Sequence, residues 1–225
     1  MDGLLLVDKP SGWTSFDVVA KVRGIAKKET GIKRFKVGHC GTLDPLATGL
    51  LVLCLGSYCK RAQEFSKLDK VYEVTMKLGV TSTTGDEEGE KTVISDVNPS
   101  EDEILSALQK FTGEIMQTPP AFSAVKVNGQ RAYKLAREGK EVVIEPRKVT
   151  IYDISDVGYA YPEVKFTAKV SSGTYIRSLV EDIGKELATG AYMTALRRTQ
   201  IGNFNLQDAI TEINYETISE KILTN

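Results

Sequence analysis

The chain has 225 residues, of which 41% are hydrophobic, and a formal net charge of −1 at neutral pH. A chain of this size can bury a full core without a disulfide framework or a structural metal. It has no apolar run long enough to cross a bilayer, and Asp2 stands where a signal peptide would carry basic residues, so we expect a cytoplasmic protein with no membrane partner.

Charge is segregated along the chain. Residues 21–36 hold seven basic side chains against one acidic, and residues 126–148 hold seven against three, whereas residues 86–103 hold eight acidic side chains against one basic. Exposed charges more than about 8 Å apart are screened from each other at physiological salt, so a basic surface can attract phosphates despite the net charge. Two ordinary solvated basic helices would explain the basic segments as well.

The first predicted elements are a strand and an amphipathic helix. Gly3–Val7 is a short apolar run followed by a turn-forming segment, which predicts a buried strand. Ser15 is typical of a helix N-cap, and the pattern predicts a helix from there to about Lys28. The side chains predicted to face the core are Phe16, Val19, Ala20 and Val22.

The central stretch, residues 36–56, contains the only histidine of the chain, several glycines and the pair Asp44-Pro45, and it ends in the apolar run Leu50–Leu55. We interpret it as a catalytic loop that leads into a buried strand. Because Asp44 precedes a proline, its backbone is biased toward the extended region, which restricts the directions of its carboxylate. A purely structural Asp-Pro turn is the alternative, and the glycine spacing fits no nucleotide-binding loop.

Three cysteines, at positions 40, 54 and 59, form no Cys-x-x-Cys pair, so neither a disulfide framework nor a zinc ribbon is indicated. His39 lies beside Cys40, but adjacent residues rarely ligate one ion together. We therefore expect no metal and interpret the cysteines as packing residues.

The chain then continues with a predicted helix over Tyr58–Lys67, which carries Lys60 near its start. Val71–Leu78 alternates between apolar and polar residues, which predicts a strand with Tyr72 pointing inward, either for packing or for a cleft. An acidic loop or loose hairpin follows over residues 79–96, and a helix is predicted from Ser100 to about Phe111.

Residues 117–130 mix prolines, an aromatic residue and an Asn-Gly turn, and they lead into a basic helix with Arg131, Lys134 and Arg137. Basic groups combined with groups that pack against unstacked bases suit RNA, so this excursion is a plausible RNA clamp. Strands are predicted over Lys148–Val157 and Glu163–Val170.

Arg177 opens a helix whose predicted core residues run from Ile176 to Leu187. A cation in the first helical turn opposes the helix macrodipole, so we expect a compensating carboxylate from elsewhere in the chain or an RNA phosphate. A final strand over Met193–Phe204 and two short helical pieces are predicted to complete the chain.

The chain resembles the bacterial TruB family of tRNA pseudouridine synthases in five motifs that occur in the same order. The resemblance extends from about Gly3 to Phe204. The motifs are Leu6–Gly12 (LVDKPSG), Gly38–Gly49 (GHCGTLDPLATG), Pro120–Lys126 (PAFSAVK), Gly173–Arg177 (GTYIR) and Leu196–Arg198 (LRR). The resemblance implies an α+β catalytic domain with a mixed, largely antiparallel sheet and flanking helices. It implies a single domain over residues 1–225 and a thumb-like insertion over about 117–146. The chain departs from longer members of the family, which carry a C-terminal RNA-binding domain: it ends about twenty residues past Phe204, so we expect no such domain.

The activity implied by this resemblance is isomerisation of the T-loop uridine at tRNA position 55 to pseudouridine, without a cofactor. Asp44 would then be the essential catalytic carboxylate, as nucleophile or as base, and Arg177 would pair with it. Tyr72 would stack on the uracil and help to move the C5 proton.

The implied partner is the T stem-loop of tRNA, bound by a monomer. His39 matches the residue that intrudes into the T loop, and Tyr175 and Leu196 match uracil-pocket positions. Lys60 is expected to contact a phosphate or to support the site, and Lys126 is expected to bind the RNA. Cys40 stands where many relatives have threonine or alanine, and we expect no mechanistic change from it. Two other functions remain open, a catalytically idle RNA-binding module and a nucleoside hydrolase that uses Asp44.

Overall fold

The computed structural model describes residues 1–127 and 129–224. Its elements, in chain order, are β1 (Gly3–Lys9), α1 (Ser15–Thr30), β2 (Val37–His39), β3 (Thr48–Leu55), α2 (Ala62–Ser66), β4 (Lys70–Leu78), β5 (Val80–Ser82), β6 (Lys91–Val93), α3 (Glu101–Lys110), β7 (Gly113–Gln117), β8 (Lys126–Val127), β9 (Gln130–Arg131), α4 (Ala132–Arg137), β10 (Arg147–Ala160), β11 (Glu163–Val170), α5 (Ile176–Glu186), β12 (Ala191–Ile201), β13 (Phe204–Asn205) and α6 (Tyr215–Lys221). Short 3₁₀ helices cover Gly56–Arg61 and Leu206–Asp208.

The chain forms two compact units, the first from Met1–Glu73 with Leu196–Asn225 and the second from Val74–Ala195. In the first unit β3 is the central strand. It pairs antiparallel with β1, from Gly3↔Leu55 to Lys9↔Gly49, and antiparallel with β2. Its start pairs parallel with the end of β12, which makes the sheet mixed.

The apolar run of β3 is explained by burial on both faces, as the strand pattern predicts. Leu51, Leu53 and Leu55 pack in a cluster with the buried side of α1, whereas Leu50 and Val52 pack in a second cluster. Each buried leucine removes enough apolar surface from water to contribute about 1.5–3 kcal/mol. The strand therefore anchors whatever precedes it, and the residues that precede it are those of the Asp44 loop.

In the second unit the strand order is β12-β4-β11-β10-β7. The pairs β10–β11 and β10–β7 are antiparallel, and β5 and β6 form a separate hairpin. The stripe of α5 is buried at Ile176, Leu179, Val180 and Ile183, as predicted, whereas Leu187 is the C-cap and is only half-buried. The predicted fold class, mixed sheet with flanking helices, is confirmed, and no helix of the described residues is long and apolar enough to cross a membrane.

The start of α1 corrects two predictions. Thr14, not Ser15, is the N-cap, and it forms a capping box with Asp17. Phe16 does not face the core, because its side chain is 61% exposed. The buried stripe is formed by Val18, Val19 and Val22, and a residue two positions before Val18 projects about 200° away from it on a helix.

Lys9, at the end of β1, is fully buried and binds the chain around it through its ammonium group. Its Nζ donates hydrogen bonds to the carbonyls of Pro10 (2.9 Å), Trp13 (2.7 Å) and Pro45 (3.2 Å). Burial lowers the pKa of Lys9 to about 8, against a raising effect of the nearby Asp44 charge, so Lys9 is still a cation at neutral pH.

We expect the pKa of Lys9 to make stability depend on pH. Because the folded-state pKa is about 8 and the ordinary value is 10.5, the unfolded chain binds more protons between these values, so the free energy of unfolding rises with pH in that window. Relative to a Lys9→Met variant, the wild-type chain should gain up to about 3 kcal/mol from pH 8 to 10.5. Urea unfolding across this range measures the difference, and a pH-independent difference would show that Lys9 has an ordinary pKa.

Candidate active site

The loop that carries Asp44 is bonded to the start of α1 through its backbone. The Ser15 hydroxyl accepts a hydrogen bond from Leu43 N (2.8 Å) and donates one to Leu43 O (3.0 Å), and Ser15 is buried. Gly12 N donates to Pro45 O (2.9 Å), and Ala47 N closes a turn on Asp44 O (3.1 Å). The half-buried Asp44 therefore lies between two residues, Leu43 and Pro45, whose carbonyls are both bonded.

Arg198 of β12 holds the same loop from the other side. Its side chain is 1% exposed, and its three nitrogens donate to three backbone carbonyls: Nε to Leu50 O (2.8 Å), Nη1 to Thr42 O (3.4 Å) and Nη2 to Gly41 O (3.1 Å). A guanidinium has donors in a rigid planar fork, so one side chain can fix several acceptors at once. Both ends of the loop are therefore bound to one buried cation.

Gly49 allows Arg198 to come this close. It adopts a left-handed backbone with φ of +99°, and a Cβ at this position would lie 2.3 Å from the Arg198 carbonyl oxygen. Only glycine fits such a backbone without strain. The glycine that ends the second motif is thus explained by the packing of β12 on β3.

Three further sequence-predicted site residues of the first unit are His39, Tyr72 and Leu196. His39 is partly buried on β2, and burial lowers the pKa of its ring, so the imidazole is neutral at pH 7. Tyr72 is 8% exposed on β4, which confirms its inward direction. The carbonyl of Leu196 accepts a hydrogen bond from Thr48, four residues after Asp44 (3.5 Å).

Lys60 lies at the other end of β3 from Asp44. It is exposed and lines a cavity of about 580 Å³ together with Arg34 and Lys36. The eight residues of β3 separate this end from the Asp44 loop by on the order of 20 Å. Lys60 therefore does not support the Asp44 loop directly, and its contact with a phosphate stays a prediction.

Arg177, in the second unit, is buried at the start of α5 and is bonded on several sides. Its Nη1 donates to Thr84 O (3.1 Å) and lies 3.4 Å from the Asp86 carboxylate, and its Nη2 donates to Phe122 O (2.8 Å). Asp86 is itself buried and accepts a hydrogen bond from Glu88 N (3.1 Å). The expected carboxylate from elsewhere in the chain is confirmed in Asp86, whereas a pairing of Arg177 with Asp44 stays a prediction.

Tyr175 is fixed two residues before Arg177. The fully buried side chain of Gln117 accepts from Tyr175 N (2.8 Å) and donates to Tyr175 O (3.0 Å), so it replaces a strand partner. The guanidinium of Arg147 lies 4.8 Å from the centroid of the Tyr175 ring. A cation over an aromatic face is attracted by its quadrupole, so Arg147 stabilises the position of the ring.

Lys126 lies in the small hairpin of β8 and β9, within the predicted thumb, and its side chain is exposed. The segment folds onto itself, because Ala132 N donates to Val125 O (2.8 Å) and Tyr133 N donates to Ser123 O (3.0 Å). Asn128 of the predicted Asn-Gly turn lies outside the described residues. The hairpin leads into α4, which confirms the predicted basic helix for Lys134 and Arg137, whereas Arg131 belongs to β9 and is the N-cap of α4.

Sequence reasoning missed four residues that hold the predicted site residues in place: Lys9 and Arg198 in the first unit, and Asp86 and Gln117 in the second. Lys9 and Arg198 were present only as members of motifs, and their charge gave no sign of burial. Asp86 lies in an acidic loop whose composition predicted exposure to solvent.

Within the described residues, no three His, Cys, Asp or Glu side chains come close enough to hold a metal ion. The Cys40 and Cys54 sulfurs lie 3.0 Å apart.

Comparison with known proteins identifies the family. Residues 27–176 match the N-terminal domain of the TruB family of pseudouridylate synthases, and residues 177–221 match the C-terminal domain of tRNA pseudouridylate synthase B. The tRNA pseudouridine synthase B of Clostridium novyi is 48% identical over 100% of this chain and 76% of its own length. The enzyme of Burkholderia mallei is 46% identical over 94% of this chain and 68% of its own length.

Solved structures agree with the sequence matches. A chain of a Cbf5-Nop10-Gar1 complex is 33% identical, with a TM-score of 0.69 over 93% of this chain, and a chain of an H/ACA RNP bound to a substrate RNA is 30% identical, with a TM-score of 0.67 over 93%. This chain spans about half the length of those two, 52% and 50%. The family matches, the relatives and the fold lead to one conclusion: the chain belongs to the TruB family of pseudouridylate synthases.

Proposed function

We propose that this chain is a tRNA pseudouridine synthase that converts the T-loop uridine at position 55 into pseudouridine. The observation that carries the proposal is the Asp44 loop, whose backbone is fixed on both sides by the buried cations Lys9 and Arg198. A structural turn would not need two buried cations, which are costly to remove from water. A catalytic carboxylate does need a fixed position, because small misplacements cost large factors in rate.

The reaction exchanges one glycosidic bond for another. The bond between C1′ and N1 breaks, the uracil turns, C5 bonds to C1′, and the C5 proton leaves to solvent while a proton adds at N1. Asp44 either adds to the electron-poor C1′ or removes the C2′ proton, and both schemes need its ionised form. The isomerisation is balanced without an oxidant, a reductant or a cofactor.

The other catalytic residues orient the Asp44 carboxylate or contact the uracil base. Arg177, held by Asp86 and by two carbonyls, supplies a fixed positive charge that pairs with the Asp44 carboxylate and orients it. Tyr72, with its buried ring, stacks on the uracil and helps to move the C5 proton. Tyr175 and Leu196 complete the pocket around the uracil.

Binding requires the uridine to leave its stack, which costs a few kcal/mol. The neutral ring of His39 enters the vacated space, since a neutral imidazole packs against bases at little desolvation cost. Lys60 contacts a phosphate, and Lys126 acts within the thumb, residues 117–146. The RNA is bound as the T stem-loop of tRNA by a monomer in the cytoplasm.

A tritium assay tests the proposed reaction and separates it from its alternatives. The chain is incubated with unmodified tRNA that carries tritium at C5 of uracil. A synthase releases tritium to water and keeps the base, a hydrolase frees uracil, and a binding module does neither. We expect tritium release from the wild-type chain and none from Asp44→Ala, with RNA binding retained. Tritium release by Asp44→Ala at the wild-type rate would exclude Asp44 as the catalytic group.

Asp86 offers a second test, directed at the position of Arg177. Asp86→Asn keeps the size of the side chain but removes the charge 3.4 Å from Arg177. We expect single-turnover pseudouridine formation to slow by about tenfold or more, because misplacement of a charge near the reacting carbon is costly, with RNA affinity changed less than about twofold. Asp153→Asn, at an exposed position of β10, is the matched control. Equal rates for the two variants would refute the positioning role.

A further inference from the structure

Two exposed aromatic side chains stand at the start of α1. Trp13 is 37% exposed, and Phe16 is 61% exposed. Trp13 is also the only tryptophan of the chain. Aromatic side chains have a large apolar area and are usually at least partly buried. Two exposed aromatic side chains three positions apart therefore indicate a surface that binds a ligand.

The backbone that carries these rings is joined to the Asp44 loop. One nitrogen, Lys9 Nζ, binds both the carbonyl of Trp13 (2.7 Å) and the carbonyl of Pro45 (3.2 Å). Gly12 N donates to Pro45 O (2.9 Å), and Ser15 makes its two hydrogen bonds to Leu43. The aromatic pair is therefore fixed relative to the residues on each side of Asp44.

The charges around the rings suit a nucleic acid. The guanidinium of Arg23 lies 5.4 Å from the centroid of the Phe16 ring, and the exposed Lys27 follows on the same face of the helix, about three turns after Phe16. The carboxylate of Asp17, the residue after Phe16, accepts hydrogen bonds from Thr14 N (2.8 Å) and from the Thr14 hydroxyl (2.7 Å). An aromatic face beside a row of cations is the usual composition of a surface that stacks bases and follows a phosphate backbone.

We propose that Trp13 and Phe16 form a stacking platform for a nucleobase of the RNA whose uridine enters the site at Asp44. The proposal rests on the proposed function. When the uridine leaves the RNA loop, the bases on both sides of it lose a stacking partner. His39 enters the vacated space, and an aromatic ring fixed beside the catalytic loop stacks on a further exposed base. The platform thus lowers the free energy of the opened RNA.

The single tryptophan makes the proposal directly measurable. An Asp44→Asn variant keeps Trp13 and Phe16 but lacks the catalytic carboxylate. This variant is titrated with an unmodified T stem-loop hairpin. Tryptophan emission is recorded with N-acetyltryptophanamide as the correction for absorption by RNA. We expect emission to fall as the hairpin binds. Unchanged emission at an RNA concentration that saturates filter binding would overturn the platform.

Variants extend the test to affinity. Stacking of one base is worth about 1–3 kcal/mol, so Phe16→Ala and Trp13→Ala should each raise the Kd for the hairpin by about tenfold. Phe16→Tyr and Trp13→Phe keep a ring and should stay within about twofold of the wild-type Kd. Tyr152→Ala, at a position 47% exposed on β10, is the control for loss of an exposed aromatic side chain. Alanine variants that bind like the wild-type chain would overturn the platform.

The failure of this proposal can be told apart from failure of the proposed function. If the wild-type chain releases tritium from C5-labelled tRNA but Trp13 emission does not respond to RNA, only the platform is refuted. If no tritium is released and no uracil is freed, the proposed function is refuted first. A response of Trp13 without tritium release would support the platform as part of an RNA-binding module.

Discussion

The structure depends most on the binding of the Asp44 loop by buried cations. Lys9 and Arg198 hold the carbonyls of Gly41, Thr42 and Pro45, the residues around the carboxylate. Hydrogen bonds that involve a charged group contribute about 1.5–3 kcal/mol each, whereas a buried charge without partners would cost several kcal/mol. The cations and the loop therefore stabilise each other: the loop carbonyls supply hydrogen-bond acceptors to the buried charges, and these hydrogen bonds fix the backbone of the loop.

The second unit also contains a buried cation, Arg177, and an acidic side chain is among the groups that bind it. Arg177 begins a helix, where its charge opposes the macrodipole, and it is nonetheless buried. The Asp86 carboxylate and the carbonyls of Thr84 and Phe122 compensate for this cost. The guanidinium has several directed partners, so it has little freedom to turn, and this suits a group whose task is to present a charge in one direction.

Residues whose environment follows from local periodicity were predicted well. The apolar run of β3, the alternation that turns Tyr72 inward and the buried stripe of α5 all follow from the side-chain period of one element. The compensation of Arg177 was also expected from the helix macrodipole, though not its partner. Asp86 lies 91 positions earlier in the chain, in a loop whose composition indicates solvent, and no local pattern connects the two.

Phe16 shows the opposite case, in which a pattern predicted the wrong surroundings. An aromatic residue in the first turn of an amphipathic helix was assigned to the core by its type, although Val18, Val19 and Val22 already fill that face. The burial of Lys9 and Arg198 was not predicted, for a related reason. Basic side chains are ordinarily solvated, and only the tertiary structure reveals that backbone carbonyls surround these two. Roles that depend on contacts between distant segments are thus the part that a single sequence does not supply.

The most direct test of this account is the single-turnover rate of an Arg198→Lys variant on T stem-loop RNA. Lysine keeps the charge, but its single nitrogen cannot occupy the three separate positions from which Nε, Nη1 and Nη2 of Arg198 donate to Leu50, Thr42 and Gly41. With the variant folded by circular dichroism and with RNA affinity within about twofold of wild type, we expect the rate of pseudouridine formation to fall by about tenfold or more. A wild-type rate would contradict the claim that this buried guanidinium fixes the catalytic carboxylate.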